Sequence, residues 1–318
     1  MAKIAEKHKK KAAPASAVQK SRQLEKPKYK SFQLSRRLKG DTLPGAFWLF
    51  KNTCAVLGRN WKLFLWIVIV YAVLNIVFVQ SFSAMANLSD TKAALDQSIS
   101  GIWGRVAGGL ALFAYLVGNT SNNANPASSV YQFIVALLVS LALIWALRQV
   151  YAGHKVRMRD TFYNGMYPLI PFIFVLAVIG LQLIPMAVGI MLYGTIIGAN
   201  IAATGVEQAL WALLALVLSM VSFYMITSSI FALYIVTLPD MSPMHALRSA
   251  RQLVANRRWT IMRKLLFLPV VLFVLAAVIV LPVILFATPV VPLVFYTLSM
   301  LLLPMLHGYM YTLYRSLI

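Results

Sequence analysis

Six apolar runs, each of about 20 residues or more, constrain the fold of this chain more than any other feature of its sequence. A helical run of this length matches the roughly 30 Å hydrocarbon core of a bilayer. Helices also bond their own backbone groups, as the membrane interior requires, and no run alternates with the period of a barrel strand. The runs cover residues 61–82, 130–150, 167–193, 209–238, 265–287 and 290–314. The sequence therefore predicts an all-α polytopic membrane helical bundle of about six transmembrane helices.

The composition argues against a water-soluble fold. Hydrophobic residues make up 60% of the 318 positions, charged residues only 12%, and the mean hydropathy is +0.77. Soluble domains carry about 25% charged residues, because without them large apolar patches would face water. Lipid removes that difficulty, so we expect a multi-pass protein of a cell membrane.

Lys and Arg residues set the predicted orientation. With six spans and a cytoplasmic N-terminus, 27 of the 29 fall in cytoplasmic segments, and only Lys92 and Arg105 fall outside. A seventh apolar stretch, residues 102–118, contains Arg105 and several glycines. As a span it would move 11 basic residues to the outer face, against the positive-inside rule. We expect it to lie in the outer interface or to form a re-entrant segment, with both termini of the chain in the cytoplasm.

Residues 1–41 differ in composition from the predicted membrane domain, residues 42–318. They are Lys-rich and too poor in apolar residues to offset the entropy of ordering, which predicts a disordered basic cytoplasmic tail. The net charge of +21 is concentrated in residues 1–62, which hold 16 of the basic residues. No aromatic-interleaved basic platform occurs there, which argues against nucleic-acid binding. The predicted partners are the membrane and its anionic phospholipids, with a protein partner or a second copy of the chain left open.

The membrane domain shows a threefold organisation. A short basic segment precedes the first and fifth runs; each starts at a proline, Pro44 or Pro243, and ends with Arg-rich residues and a Trp, Trp61 or Trp259. A shorter counterpart, MRDTFYNGMYPLIPF, precedes the third run. The predicted units are residues 42–150, 151–237 and 238–318, each an interfacial helix followed by a pair of spans.

Two of the short segments have the apolar spacing of an amphipathic helix. The stripe in the third unit is Ala246, Leu247, Ala250, Leu253 and Val254, and that in the first is Ala46, Phe47, Phe50, Cys54 and Leu57. Such helices are predicted to lie at the interface, with the apolar side down and the basic side among lipid headgroups. The candidate headgroup contacts are Arg248, Arg251, Arg257, Arg258, Trp259, Arg59 and Trp61.

Residues 242–259, SPMHALRSARQLVANRRW, followed by a Pro-bearing span, resemble an uncharacterised class of six-span bacterial inner-membrane proteins. That class is similar to the membrane domain fused to some glycerophosphodiester phosphodiesterases. The resemblance extends loosely over residues 42–318 and implies this architecture and work in the envelope or on lipids. The phosphodiesterase catalytic domain has no counterpart in the chain, so no catalytic residue is carried over.

The sequence predicts no catalytic, metal or cofactor site. None of the eight acidic residues lies in a predicted span, which argues against ion-coupled transport and intramembrane aspartyl proteolysis. No P-loop, HExxH or GxSxG pattern occurs. A single cysteine, Cys54, excludes an intramolecular disulfide and multi-cysteine metal sites.

Three polar residues within the runs form a candidate intramembrane polar site: Asn75, Gln182 and His307. Gln182 lies between Gly180 and Pro185, where a kink would expose backbone carbonyls to a cavity. The alternative for all three is hydrogen bonding between packed helices. The leading functional hypothesis is a non-enzymatic envelope protein that binds anionic lipid at its cytoplasmic face, with a protein partner there left open. Its main rival is a facilitator or transporter of a small neutral or anionic solute, and a membrane enzyme comes third.

Overall fold

A computed structural model describes residues 43–79, 109, 112–113, 126–154, 156–199, 201–202, 204–255 and 257–318. The predicted tail, residues 1–41, and most of the 102–118 stretch lie outside the described residues. The proposals for those two segments therefore stay predictions.

The described part of the chain is helical and contains no strand. In chain order the helices are α1 (Ala46–Arg59), α2 (Trp61–Val79), α3 (Pro126–Tyr151), α4 (Met158–Gly165), α5 (Leu169–Gly198), α6 (Gly205–Ser229), α7 (Ala232–Ile235), α8 (Pro243–Val254), α9 (Arg258–Phe286) and α10 (Val291–Leu317), with a 3-10 turn at Thr288–Val290. Six of them, α2, α3, α5, α6, α9 and α10, are long and apolar enough to cross a membrane. The predicted all-α bundle of six spans is confirmed.

Local sequence accounts for where several helices begin. The hydroxyl of Ser242 accepts a hydrogen bond from the backbone N–H of His245 (3.3 Å), and Pro243 occupies the first turn of α8. Thr204 and Glu207 form a reciprocal capping box at the start of α6. These side chains satisfy N–H groups that have no partner within the helix.

Ring contacts and helix packing fix the relative directions of the long helices. The ring of Phe78, near the end of α2, lies 6.1 Å from that of Tyr131, near the start of α3. The two helices are therefore antiparallel neighbours, and the chain between them begins and ends on the same face of the bundle. Alternation along the six long helices places α1, α4 and α8 together on the opposite face, which we call the basic face.

The described residues of the 102–118 stretch are Gly109, Leu112 and Phe113, and they lie against the bundle. Leu112 and Phe113 are buried among side chains of α9 and α10. The ring of Phe113 lies 5.2 Å from that of Phe273, near the middle of α9. Phe113 therefore contacts α9 near its middle, and the interfacial and re-entrant alternatives for the whole stretch stay predictions.

The order of one short helix followed by two long ones occurs three times, as the predicted units require. Each short helix packs on the second long helix of another unit: α1 on α10, α4 on α3, and α8 on α6. Glycines allow two of these contacts. A Cβ on Gly308 would lie 2.7 Å from Thr53, and one on Gly165 would lie 3.1 Å from the Cα of Ala142. The three units therefore contact one another in a closed cycle.

This packing corrects the predicted role of the apolar stripe on α8, while the α1 stripe keeps exposed residues. On α8, Ala246, Ala250 and Val254 are buried against the protein rather than turned toward lipid. On α1, Phe47 is 71% exposed and Cys54 is exposed as well, while the buried face is formed by Leu49 and Thr53. The small residue Gly308 on α10 lets α1 approach closely by the side that carries Thr53. This contact determines which face of α1 is buried.

Candidate functional site

The basic face carries every Lys and Arg of the described residues. They lie in the short helices, in the adjoining turns, or within about two turns of the ends of the long helices. The described acidic residues are Asp160, Asp240 and Glu207, and Glu207 lies at the opposite face, at the start of α6. Positive charge therefore exceeds negative charge strongly on one side of the bundle.

A groove of about 580 Å³ opens on the basic face between the α1–α2 junction and the turn after α3. We call it the basic groove. Its polar and aromatic lining residues are Arg59, Asn60, Trp61, Lys62, Trp66 and His154. Leu63, Val150, Val156 and Met158 add apolar walls, and none of the described residues that line the groove is acidic. The groove thus combines positive charge, aromatic rings and an apolar floor.

Two local backbone features form this groove. Asn60 separates α1 from α2, and its side-chain amide donates to the carbonyl of Val56 (3.1 Å). At the far side, Gly153 adopts a left-handed conformation, φ +82°, that ends α3. The N–H of His154 then bonds the carbonyl of Gln149 (3.1 Å), the pairing of a Schellman motif. The chain turns away from α3 at this point and brings His154 to the rim.

Arg59 and Lys62 are exposed and have no hydrogen bond or ion pair with the described residues. Trp61 and Trp66 are 56% and 57% exposed. These groups are not used to hold the fold together. They remain available to a ligand or to lipid.

The other predicted headgroup contacts divide into exposed residues and one structural tie. Arg248, Arg251 and Trp259 are exposed, and Arg257 is half-buried. Arg258 instead donates from Nη1 to the hydroxyl of Tyr224 on α6 (2.7 Å), and its guanidinium lies 5.2 Å from the centre of the tyrosine ring. Sequence reasoning missed this pairing because Arg258 and Tyr224 are far apart in the chain.

The predicted intramembrane residues do not come together in one hydrogen-bonded cluster. Asn75 is fully buried, and its Nδ2 donates to the carbonyl of Tyr71 one turn earlier (2.9 Å). Gln182 donates from Nε2 to Ser229 on α6 (2.8 Å). The Oδ1 of Asn75 and the Oε1 of Gln182 are buried and have no donor among the described residues. Each amide is thus half satisfied.

His307 belongs to an aromatic cluster at the basic end of α10. Its Nδ1 lies 3.1 Å from the hydroxyl of Tyr234, and the rings of Tyr234, Tyr311 and Tyr314 are about 6 Å apart. Arg148 closes this end of the bundle by donating to the carbonyl of Thr237 (2.8 Å) and to its hydroxyl. The contacts of His307 are those of helix packing.

The kink predicted in α5 is closely packed against α6. Pro185 interrupts the helix, and the N–H of Met186 donates to the hydroxyl of Ser222 (3.0 Å). One turn further on, a Cβ on Gly189 would lie 3.2 Å from the Cα of Ala215. The α5–α6 contact leaves no room for a side chain at that point.

One basic residue within a long helix, Lys264, ties elements together, and sequence reasoning treated it only as an orientation signal. Lys264, in α9, donates to the carbonyl of Pro44 just before α1. The hydroxyl of Tyr309, on α10, donates to the carbonyl of Lys264 (3.0 Å). A cation directly beside the end of an apolar run is the signal that predicts such ties, since it needs an acceptor there.

The architecture and the one-sided charge define a multi-pass integral membrane protein. Within the described ranges, no three His, Cys, Asp or Glu side chains are grouped so as to hold a metal ion. The sequence matches no protein-family model, no curated protein and no solved structure. The resemblance to six-span bacterial inner-membrane proteins therefore stays a prediction.

Proposed function

We propose that this protein is a non-enzymatic component of a cell envelope that binds anionic phospholipids through its basic face. In this proposal the basic face is cytoplasmic and both termini lie on that side. A protein partner or a second copy of the chain would bind from the same side.

Unpaired positive charge on one face is the observation that carries the proposal. Arg59, Lys62, Arg248 and Arg251 are exposed and have no partner among the described residues. Near an anionic leaflet each such residue contributes about 1 kcal/mol, within a Debye length of about 8–10 Å from the surface. Together the four residues contribute a few kcal/mol, and only where the leaflet is anionic. The binding preference therefore depends on lipid charge.

The lipid composition around the purified protein tests this proposal. The full chain is placed in nanodiscs of phosphatidylcholine and phosphatidylglycerol, and the lipids, solutes and proteins that stay bound are identified by mass spectrometry. We expect phosphatidylglycerol to be enriched over its bulk fraction, and the enrichment to fall as salt rises. Equal retention of both lipids at low salt would contradict the proposal.

Transport of a small neutral or anionic solute is the second candidate, and the half-satisfied amides favour it. The unpaired oxygens of Asn75 and Gln182 would each accept a hydrogen bond from a solute with donor groups. The tight α5–α6 contact at Gly189 opposes a wide passage there. A stoichiometric small molecule in the same mass-spectrometric experiment would favour transport.

Reporter fusions test the orientation. Fusions after Gly165, Pro239 and Ile318 should report the cytoplasm, and a fusion after Gly205 should report the outside. A cytoplasmic signal at Gly205 together with outside signals at the other positions would place the basic face on the wrong side for this proposal.

A further inference from the structure

We propose that the basic groove binds the phosphate-bearing headgroup of a single anionic phospholipid, whose acyl chains lie along α2. This inference rests on the proposed function, because it requires the basic face to lie against an anionic leaflet. It goes further by assigning one defined site and one ligand class.

The donors of the groove match a phosphate group. Arg59 and Lys62, on either side of the turn at Asn60, supply two positive charges, and His154 adds a ring N–H from the turn after α3. A guanidinium binds phosphate oxygens through two parallel hydrogen bonds, and an ammonium does so as a point charge. None of the described lining residues is acidic, so no carboxylate binds these donors in place of a phosphate. The site therefore favours an anion over a neutral or cationic headgroup.

The size of the groove suits a headgroup rather than a bare ion. Its volume of about 580 Å³ falls in the range of about 300–1,000 Å³ that is typical of small-molecule sites. Trp61 and Trp66 line it and are also more than half exposed. Tryptophan rings prefer the level of the lipid headgroups and glycerol. The groove therefore lies at the depth where a phospholipid places its phosphate.

The lipid-facing side of α2 continues the groove toward the bilayer centre. Its exposed residues recur at helical spacing: Trp66, Ile69, Val73 and Val77. A phosphate in the groove would leave its acyl chains beside this apolar stripe. A soluble phosphate would gain nothing from it, so the geometry points to a lipid as the source of the phosphate.

Native mass spectrometry of the full chain in detergent tests the site, with phosphatidylglycerol and phosphatidylcholine as probes. The variant pair is Arg59→Gln with Lys62→Gln, and the matched control is Arg248→Gln with Arg251→Gln. Both remove two exposed charges, but the control charges lie on α8 outside the groove. We expect the groove pair to weaken the first bound phosphatidylglycerol about 30-fold, and the control pair to weaken it less than about threefold. Phosphatidylcholine has the same phosphate but also a quaternary ammonium group that these cations repel, so it should bind the wild-type protein more weakly and lose less affinity in the groove pair.

Several outcomes would overturn the site, and they are distinct from failure of the proposed function. Equal weakening by both pairs would leave a general charge preference without a groove site. Displacement of phosphatidylglycerol by millimolar inorganic phosphate would show that the phosphate alone is recognised. Equal binding of both lipids to the wild-type protein would contradict the proposed function itself. Unchanged thermal unfolding of the groove pair controls for folding, since neither residue has a partner among the described ones.

Discussion

The α1–α2 and α8–α9 junctions are built alike but use their arginines differently. In both, a short helix packs on a long helix of another unit, and Arg is followed by an exposed Trp, Trp61 or Trp259. At the α8–α9 junction Arg258 is bound to Tyr224. At the α1–α2 junction Arg59 opens into the basic groove.

The difference lies partly in the junction, where Asn60 stands directly before Trp61 and Arg258 directly before Trp259, and partly in the neighbouring helix. α6 offers the hydroxyl and ring of Tyr224, which take up the charge of Arg258. Beside Arg59, α3 ends in the left-handed turn at Gly153, and the space that remains is the groove. Similar local sequences thus yield a structural tie in one unit and a candidate ligand site in another.

The largest effect is expected where α1 meets α10. Gly308→Ala places a methyl group 2.7 Å from Thr53 and 3.1 Å from Leu57, so the helices must separate. Overpacking of this kind costs about 1–3 kcal/mol. Thermal unfolding of the detergent-solubilised protein should show the loss, and phosphatidylglycerol binding should weaken because the groove is built on the α1–α2 junction.

Gly194→Ala is the matched control, because a Cβ there meets nothing within 4 Å. Alanine is the better helix former by up to about 1 kcal/mol, so this variant should be neutral or slightly more stable. If both variants behaved alike, close packing would not be what holds α1 in place.

A smaller loss of stability is expected at the other junction. Tyr224→Phe removes the hydrogen bond to Arg258 and should cost about 1 kcal/mol. Tyr224→Leu also removes the ring beneath the guanidinium and should cost about 0.5–1 kcal/mol more. Arg59→Gln should stay within about 0.5 kcal/mol of wild type. An equal loss of stability for Arg59→Gln would show that Arg59 stabilises the fold as much as the Arg258–Tyr224 pair does.

The six spans were predictable because bilayer thickness acts on each segment independently. Their ends were less so: α9 begins at Arg258, seven residues before the predicted 265, and α5 continues to Gly198. Backbone hydrogen bonding carries a helix beyond its apolar run, through basic or small residues that can lie in the interface. Apolar composition therefore predicts which residues cross the hydrocarbon core, but not where the helix itself begins and ends.

The site was predictable only in part, since it depends on which helices become neighbours. The Arg and Trp residues at the ends of the two short helices predicted both junctions as candidate sites of headgroup contact. The sequence could not show that Tyr224 would pair with Arg258, or that His154 would border a groove with Arg59. Nor does a single helix reveal that Gly308 on α10 will receive Thr53 of α1.

The smallest expected effect uses Cys54, the only cysteine in the chain, as a probe of α1. Although its side chain is partly exposed, burial raises the pKa of the Cys54 thiol. The thiolate is the reactive form, so maleimide labelling at neutral pH should be slower than in the denatured protein and should accelerate as the pH rises.

Labelling of Cys54 also tests whether the two junctions are independent. Gly308→Ala should loosen α1, lower the thiol pKa toward its ordinary value and speed labelling. Tyr224→Leu loosens only the α8–α9 junction and should leave the rate unchanged. Acceleration by Tyr224→Leu equal to that by Gly308→Ala would show that the closed cycle of units couples the junctions. Arg59 and Arg258 would then belong to one cooperative structure, and the two junctions could not be compared as separate sites.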